Sequence, residues 1–536
     1  MEKQIEFWLD KIAKQVVERE KNLKRGIKVL RTESGLGASG FPHIGSFGDV
    51  VRSYGVALAL KDLGFKSEFI AYSDDRDGLR RVPLSLPDWL EDYIGMPVTD
   101  IPDPFKCHDS YGEHMSSLLI EAIEKAGIEF TFQSGTKNYR KGILDKQIEA
   151  ILINADRVGE IVKELVGQEK FVEMLPYFPV CENCGRLYTT RAHKLISEEH
   201  KVLYVCDQEF VGKNLNNWKE IVVRGCGYKG EASYVKGNGK LSWKGEFAAR
   251  WDALKIVFEA HGKDILDSVR VNDVICREIL KFEPPVHLMY EMFLDKSGKK
   301  LSKSFGNVFT PQVWFNYGSV QSLLLLMFKR FVGTRELDVT DIPRYMDELD
   351  KLERIHFGLE KIKNKRDLVN AKRLFEYVHF LRPPKTLSLH VPYRTIVEVA
   401  KILPEKNQVE FALGKLKEFG YFKKVSKSRR KCIEERLEFA KNWQKDFGRP
   451  EIELIEVSEK EKNAIRELAE SIIEEKDGEK LQTRIFEIAK ENGIKPPDFF
   501  RLLYQVILKS NKGPRLGPYI IERGKEEVIS KLKEVL

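Results

Sequence analysis

The sequence has 536 residues, enough for about three or four domains of ordinary size. Lysine and arginine (90 residues) slightly outnumber aspartate and glutamate (82), and 42% of all residues are apolar. This composition excludes a disordered or fibrous protein, and no apolar run reaches the roughly eighteen residues that a membrane span needs. The charged, amphipathic start over residues 1–14 is unlike a secretory signal, so we predict a cytoplasmic protein.

The first elements along the chain predict one unit of a parallel α/β sheet. Apolar positions at helical spacing predict a helix over residues 5–24, and Ile27–Leu30 is predicted to form a strand. A glycine-rich turn over 33–46 follows, then a buried helix from Val50 and a second strand over Lys66–Tyr72. Strand, turn, helix and strand in this order indicate a Rossmann-like, doubly wound parallel sheet, in which ligands bind at the carboxyl ends of the strands.

The alternation of strands and helices is lost between about residues 100 and 235, which predicts an insertion into the sheet domain. It returns with a helix over Gly245–Glu259 and a late strand over Val286–Phe293. A lysine-rich polar loop follows, and beyond it nearly every segment has helical spacing. The expected domains are a sheet domain over 1–100 and 236–308, an insertion over 101–235, a helical region over 309–382 and an all-α C-terminal domain over 383–536.

The glycine-rich turn ends in Pro42-His43-Ile44-Gly45, which is more informative than glycines alone. Glycine lets the backbone approach a phosphate chain, and the N-terminus of the following helix presents unpaired N–H groups. The His43 imidazole can donate to a phosphate oxygen. We therefore predict a nucleotide site, with a capping or packed histidine as the alternative interpretation of His43.

The lysine-rich loop near residue 300 is the second candidate for nucleotide binding. Lys300 and Lys303 can close onto a triphosphate and neutralise it, while Ser302 and Ser304 add hydroxyl donors. The alternative is a solvated basic turn, against which the first motif argues.

Four of the seven cysteines cluster within the expected insertion, where Cys181 and Cys184 form a CxxC pair followed by glycine. Such a turn aims two thiolates at one tetrahedral ion, so we predict a structural Zn²⁺. The predicted ligands are Cys181, Cys184, Cys206 and Cys226. His193 or His200 could replace Cys206, and reduced cysteines in a packed insertion or a redox pair are alternatives. The remaining cysteines are expected to be isolated thiols: Cys107, Cys276 and Cys432.

Two short motifs resemble the signatures of class I aminoacyl-tRNA synthetases. His43-Ile44-Gly45-Ser46 resembles the HIGH motif, and residues 300–304, Lys-Leu-Ser-Lys-Ser, resemble the KMSKS loop. Ser46 replaces the second histidine, whose contribution must come from a hydroxyl, a backbone N–H or another residue. The resemblance implies catalytic roles for His43, Lys300 and Lys303. It also implies a set of ATP-binding residues: Gly37, Ser39, Pro42, His43, Gly45, Ser46, Lys300, Ser302, Lys303 and Ser304.

Longer strings over most of the chain resemble the class I type of lysyl-tRNA synthetase. They lie at 33–35, 73–83, 102–105, 110–114 and 513–517. The resemblance implies activation of L-lysine by ATP, with Mg²⁺ on the triphosphate, to give lysyl-adenylate. It further implies transfer of the lysyl group to the 3′ end of tRNA(Lys), whose anticodon arm is bound by the helical C-terminal domain.

A lysine substrate needs an apolar wall for its methylene stem and a carboxylate for its ammonium. We predict Glu33 as the ammonium partner. The lysine-binding residues expected from chemistry and resemblance together are Glu33, Gly35, Trp243, Asp264, Tyr290 and Glu291. Trp251 is a further available wall, although tryptophans are also ordinary core residues. Members of the family commonly have histidine where this chain has Ile265, and His261 is the candidate replacement.

Binding of tRNA by the C-terminal domain is expected from its cations and aromatic rings. The cations are the basic run over 423–431, Arg501 and Arg515, and Tyr393 or Tyr421 could stack on a base. The alternative interpretation of the basic run is the solvated face of a helix.

Three other functions remain open from the sequence. The first is a class I synthetase for glutamate, arginine or cysteine. The second is a small-molecule nucleotidyltransferase with a HIGH-like turn, against which the helical C-terminal half argues. The third is a tRNA-binding paralogue without catalysis, against which the intact His43, Lys300, Ser302 and Lys303 argue.

Overall fold

The computed structural model describes residues 6–291, 293–294, 309–330, 332–388, 391–447, 457–508 and 515–536. The chain divides into an N-terminal unit, Met1–Phe315 with Ser319–Leu387, and a C-terminal unit, Asn316–Gly318 with Ser388–Leu536. No helix in the described part of the chain combines the length and apolar character that crossing a membrane requires.

Strands are confined to the N-terminal unit within the described residues. They are β1 (Leu30–Leu36), β2 (Ser67–Ser73), β3 (Arg81–Val82), β4 (Thr131–Ser134), β5 (Tyr177–Pro179), β6 (Arg191–Ile196), β7 (Lys201–Val205), β8 (Glu209–Asn214), β9 (Lys219–Arg224), β10 (Lys229–Ser233), β11 (Gly239–Leu241), β12 (Ile256–Gly262), β13 (Val286–Tyr290), β14 (Phe293–Leu294) and β15 (Arg335–Glu336).

The α-helices run through both units. They are α1 (Trp8–Leu23), α2 (Ile44–Asp62), α3 (Tyr111–Lys125), α4 (Gly135–Lys141), α5 (Asp145–Ile153), α6 (Ala155–Val166), α7 (Lys170–Glu173), α8 (Trp243–Leu254), α9 (Leu266–Glu278), α10 (Pro311–Tyr317), α11 (Val320–Phe328), α12 (Ile342–His356), α13 (Lys365–Val378), α14 (Tyr393–Ala400), α15 (Gln408–Glu418), α16 (Lys427–Phe447), α17 (Glu459–Glu474), α18 (Gly478–Glu491), α19 (Pro496–Leu508), α20 (Leu516–Arg523) and α21 (Lys525–Lys533).

A five-stranded parallel sheet in the order β13-β12-β1-β2-β4 is the centre of the N-terminal unit. The strand order reverses at β1, because β2 and β4 extend the sheet on one side and β12 and β13 on the other. Such a switch point leaves a crevice at the carboxyl ends of the strands. The doubly wound α/β prediction is confirmed.

Two features of the sheet differ from the sequence prediction. β1 begins at Leu30, so Glu33 to Gly35 lie inside the strand, and the turn is limited to the residues between Leu36 and Ile44. The edge strand β4 lies within the region that was expected to be an insertion, because Thr131 to Ser134 pair with β2. Sheet residues therefore extend past residue 100.

The helix predicted over Gly245–Glu259 is wrong beyond Leu254. α8 ends there because its C-cap, Lys255, adopts the left-handed conformation with a φ of 57°. The following strand β12 is buried at every position, between two parallel neighbours. Strands buried on both faces have continuous apolar runs that helical periodicity cannot distinguish from a buried helix.

Residues 177–241 contain most of the predicted insertion's strands. β5 and β11 form an antiparallel ribbon, β6, β7 and β10 form a three-stranded sheet, and β8 pairs with both β3 and β9. β11 is followed directly by Ser242, the N-cap of α8, so the ribbon leads directly into this helix.

The described residues of the C-terminal unit are helical, as the sequence predicts. α18 and α19 match the predicted helices over 477–492 and 496–509, and Ser458 forms the expected capping box with Glu461. Tyr393 corrects another expectation, because its ring is fully buried and its hydroxyl donates to the Tyr317 carbonyl at 2.7 Å. This ring cannot stack on an RNA base.

Candidate active site

A cavity of about 260 Å³ lies at the carboxyl ends of the sheet strands. β1, β12 and β13 contribute their terminal residues, α2 its first turn, and α8 one face. Eight predicted site residues line it: Gly35, Gly37, His43, Gly45, Ser46, Trp243, Asp264 and Tyr290. The structure therefore brings the HIGH-like turn and most of the predicted lysine-binding residues into one cleft.

Four of the predicted ATP-binding and lysine-binding residues within the described part of the chain do not line this cavity. Ser39 and Pro42 lie in the turn between β1 and α2. The Glu291 carboxylate lies 3.2 Å from the Lys263 ammonium, and Glu33 is buried against Arg250. The predicted Lys300, Ser302, Lys303 and Ser304 fall outside the residues that the structure describes.

His43 is the N-cap of α2, and this position fixes its ring. The His43 Nδ1 atom accepts a hydrogen bond from the Ser46 backbone N–H at 3.1 Å. In a neutral imidazole the other nitrogen, Nε2, then carries the proton and is a donor. Gly45 allows this geometry, because a Cβ atom there would lie 2.8 Å from the imidazole. The Ile44 N–H is held by the Phe309 carbonyl at 2.8 Å and the Ser46 N–H by His43, so the helix start offers an anion the imidazole donor and the positive end of the helix dipole.

A buried arginine surrounded by three carboxylates forms the other side of the cavity. The Arg250 guanidinium lies 2.8 Å from Glu33, 2.7 Å from Asp74 and 3.5 Å from Glu259. Glu33 and Arg250 are 0% and 1% exposed at their side chains, so water screens these charges little. Three acidic groups against one cation make this region attractive to a second cation.

Burial raises the pKa of Glu33 to about 8, with Arg250 opposing the shift and Glu259 adding to it. Burial likewise raises the pKa of Asp74 to about 7, with Arg250 opposing and Asp77 adding. The carboxylates raise the pKa of Arg250 well above its ordinary value despite its burial. The guanidinium is therefore charged, whereas the pair of Glu33 and Asp74 retains a proton near neutral pH.

Glu33 as the partner of a substrate ammonium stays a prediction. Glu33 contacts Arg250, which lines the cavity, while Asp74 and Glu259 line the cavity themselves. Sequence reasoning missed Asp74, Arg250 and Glu259. The available signal for Asp74 was its place directly after β2, at the carboxyl edge of the sheet.

The aromatic residues also separate into wall and core. Trp243 and Phe247 line the cavity with ring centroids 5.4 Å apart. Trp251 is fully buried and its indole donates to Glu259, so it supports a carboxylate and is not a wall. Ile265 and His261 both line the cavity, and burial lowers the pKa of His261.

The four predicted zinc ligands meet at one point. Two Sγ···Sγ distances are 3.6 Å, from Cys181 to Cys226, and 3.7 Å, from Cys184 to Cys206. Tetrahedral Zn²⁺ with Zn–S bonds of about 2.3 Å requires sulfur atoms roughly 3.8 Å apart. Burial raises the pKa of Cys226, but hydrogen bonds from the Asn183 side chain and a backbone N–H outweigh it and lower the pKa to about 6. This donor set fits zinc.

A second donor set was missed from the sequence, and Cys107 is not an isolated thiol. Its Sγ atom lies 3.2 Å from Nδ1 of His108 and 3.2 Å from Nδ1 of His114, and those two nitrogens are 3.2 Å apart. The Asp103 carboxylate completes the group at 3.4 Å from the thiol. It also accepts backbone hydrogen bonds, which outweigh burial and lower its pKa to about 2. One sulfur, two imidazoles and one carboxylate are zinc ligands.

Comparisons with known proteins give one family model and several relatives. The family model described as tRNA synthetases class I (K) matches residues 6–380. The chain is 46% identical over 526 residues to a lysine–tRNA ligase of Cenarchaeum symbiosum (strain A), with 98% of each chain covered. It is 31% identical to a lysine–tRNA ligase of Rickettsia bellii (strain OSU 85-389), over 94% of this chain and 93% of that one. A solved glutamate-tRNA synthetase from Elizabethkingia anophelis aligns at 16% identity with a TM-score of 0.40. The alignment covers 94% of this chain and 99% of that one.

Proposed function

The chain belongs to the family of tRNA synthetases class I (K), and from this premise we propose that it joins L-lysine to ATP and lysylates tRNA(Lys). One observation carries the proposal. A single cavity holds a helix start suited to phosphate and a surplus of buried carboxylates suited to an ammonium. Each half matches one of the two small substrates.

The carboxylate half selects the amino acid by charge. The lysine ammonium is placed near Asp74 and Glu259, and its methylene stem lies along Trp243 and Phe247. Glu33 contributes through Arg250, which it holds in place. A glutamate side chain would add one more negative charge to a buried acidic cluster, so it is rejected by repulsion.

The helix half binds the nucleotide and stabilises the charge that develops during adenylation. A carboxylate oxygen of lysine attacks the α-phosphorus, the bond to the bridging oxygen breaks, and pyrophosphate leaves with the electron pair. The His43 Nε2 proton is donated to a phosphate oxygen, and Ser46 takes the place of the second HIGH histidine. We propose that the pyrophosphate leaving group is neutralised by Lys300 and Lys303 and receives hydroxyl hydrogen bonds from Ser302 and Ser304. Mg²⁺, arriving with ATP, supplies further neutralisation.

Two structural zinc ions complete the proposed enzyme. One is held by Cys181, Cys184, Cys206 and Cys226, and the other by Asp103, Cys107, His108 and His114. Both sets lie in segments that connect the strands of the main sheet, where a closed tetrahedral site stabilises folding. Neither set lines the catalytic cavity, so no reaction step is assigned to the metals.

The C-terminal unit is the proposed binding site for the anticodon arm of tRNA(Lys). Along the basic run, exposed cations precede and begin α16: Lys423, Lys424, Lys427, Arg429 and Lys431. Phosphate contacts of this kind make binding strongly dependent on salt. Transfer of the lysyl group follows when a hydroxyl of the terminal ribose attacks the adenylate carbonyl and AMP leaves. We assign this activity to the cytoplasm.

Pyrophosphate exchange tested across the twenty standard amino acids, with and without tRNA, examines the proposal directly. We expect lysine to be the one amino acid of the twenty that supports pyrophosphate exchange. Exchange driven by glutamate, arginine or cysteine would reject the specificity. tRNA binding without exchange for any amino acid would favour the non-catalytic paralogue, and full activity after deletion of residues 383–536 would favour a small-molecule nucleotidyltransferase.

A further inference from the structure

Trp243, a wall of the amino-acid cavity, has its indole fixed by a carboxylate outside that cavity. The indole N–H donates to both oxygens of Asp77, at 3.1 and 3.0 Å. Asp77 follows β2 and is 8% exposed, and it is not one of the lining residues. The position of the wall therefore depends on a residue that the substrate does not touch.

Asp77 is itself held by a buried ion pair. Lys240, in β11, is 2% exposed and its ammonium contacts the Asp77 carboxylate. The same ammonium lies 2.6 Å from Glu246, on α8, whose other oxygen accepts a hydrogen bond from Tyr139 at 3.2 Å. Although burial disfavours the charge, these two carboxylates raise the pKa of Lys240 above its ordinary value. Every charged member of this group has a partner of opposite sign.

The backbone and one ring face of Trp243 are restrained as well. The Asn272 amide donates to the Trp243 carbonyl at 2.7 Å. The Arg80 guanidinium lies 5.8 Å from the indole ring and 4.9 Å from the ring of Tyr188. The indole N–H group, one face of the indole ring and the backbone carbonyl of Trp243 are all in contact with neighbouring residues. The indole therefore has one defined orientation toward the cavity.

We propose that Asp77 is a positioning residue for lysine recognition, which sets the indole of Trp243 and is held in turn by Lys240. A two-oxygen carboxylate can accept from the ammonium and the indole together. An amide replaces one oxygen with an NH₂ donor that faces one of these donors. A neutral substitute of the same shape should therefore release the indole and loosen the wall. This inference rests on the proposed function, because it assigns the cavity to lysine.

The test compares Asp77→Asn with a matched control, Asp252→Asn, in the full-length protein. Asp252 also accepts from an ammonium and an amide, Lys255 at 2.6 Å and Gln147 at 2.7 Å, but it does not contact a cavity wall. We expect Asp77→Asn to weaken lysine binding about tenfold in titration calorimetry, with kcat at saturating lysine and the KM for ATP unchanged. We expect the control to bind lysine as the unmodified protein does.

A double-mutant cycle separates positioning from general destabilisation. In a Trp243→Phe background, Asp77→Asn should cause no further loss of lysine affinity. The same tenfold loss in both backgrounds, or an equal loss in the Asp252→Asn control, would overturn the proposal.

A spectroscopic readout keeps the proposal testable without catalysis. The protein has seven tryptophans, and Trp243→Phe assigns the Trp243 indole N–H resonance among them. This resonance should shift in Asp77→Asn without lysine present, and an unmoved resonance would overturn the positioning role. If Asp77→Asn does not fold, Asp77→Glu, which displaces the carboxylate but keeps its charge, should shift the resonance in the same way. Failure of the proposed function itself would appear separately, as absence of lysine binding to the unmodified protein.

Discussion

Lysine affinity should rise steeply between pH 6 and pH 8, because the carboxyl cluster must lose a proton when the substrate ammonium enters. Burial raises the pKa of Glu33 to about 8 and that of Asp74 to about 7. Below these values the empty cavity retains a proton, which a bound ammonium displaces. Because both pKa values are raised, lysine affinity is highest at pH values above them and falls as the pH decreases through them.

The expected size follows from the fraction of deprotonated sites. One displaced proton with a pKa of about 7 makes binding roughly tenfold tighter at pH 8 than at pH 6, and a pKa of about 8 makes it roughly fiftyfold tighter. Calorimetric titration with lysine in two buffers of different ionisation enthalpy measures both the affinity and the number of protons released. Near pH 6 we expect about one proton per lysine.

The Asp74→Asn variant is the control for this assignment, because it removes one of the two titrating groups that surround Arg250. Its affinity should be weaker at pH 8 and should change less with pH. An unmodified protein with equal affinity at pH 6 and pH 8, and no proton release, would refute the reasoning.

Further predictions concern the nucleotide half and the two metal sites. His43→Ala should lower the rate of lysine-dependent exchange about 100-fold with little change in lysine affinity, because the imidazole N–H of His43 stabilises charge on the phosphate. An undiminished rate would contradict this role of His43. Gly45→Ala should lower the rate about tenfold by displacing the imidazole, whereas Gly414→Ala, where a Cβ meets no atom within 4 Å, should not, and equal effects would argue against this contact. Elemental analysis should find two zinc ions per chain. Cys184→Ser and Cys107→Ser should each remove one zinc ion and lower the melting temperature by roughly 5 °C. A chain with one zinc ion or none would contradict one or both sites.

The parts of the site that the sequence predicted are those whose chemistry is local. The nucleotide turn could be predicted because glycines, His43 and Ser46 lie close together in the chain, although α2 begins at Ile44 and not at Val50. The CxxC pair marked one proposed metal site in the same way. The neighbours of Arg250 could not be predicted, since Asp74 lies 176 positions away and only the pairing of β2, β1 and β12 brings the two together. The contact between Arg250 and Glu33 could not be predicted for the same reason.

The second proposed metal site was missed for a different reason. Its ligands are of three chemical types, and only Cys107 and His108 are adjacent, so no paired motif marks them. The loop closes because the Asp103 carboxylate caps three backbone N–H groups, of Phe105, Cys107 and His108, at 2.9 to 3.0 Å. An aspartate followed at four, five and eleven positions by Cys, His and His was the available signal.

The pairing of β1 with β12 has a consequence during synthesis on the ribosome. About 220 residues separate the end of β1 from the start of β12, which takes roughly 10 to 45 s to translate at about 5–20 residues per second. Throughout that interval one edge of a buried strand has only solvent or a chaperone as its neighbour. A nascent chain arrested before residue 256 should therefore be recovered with bound chaperone, and release of a few dozen further residues should be enough to displace it.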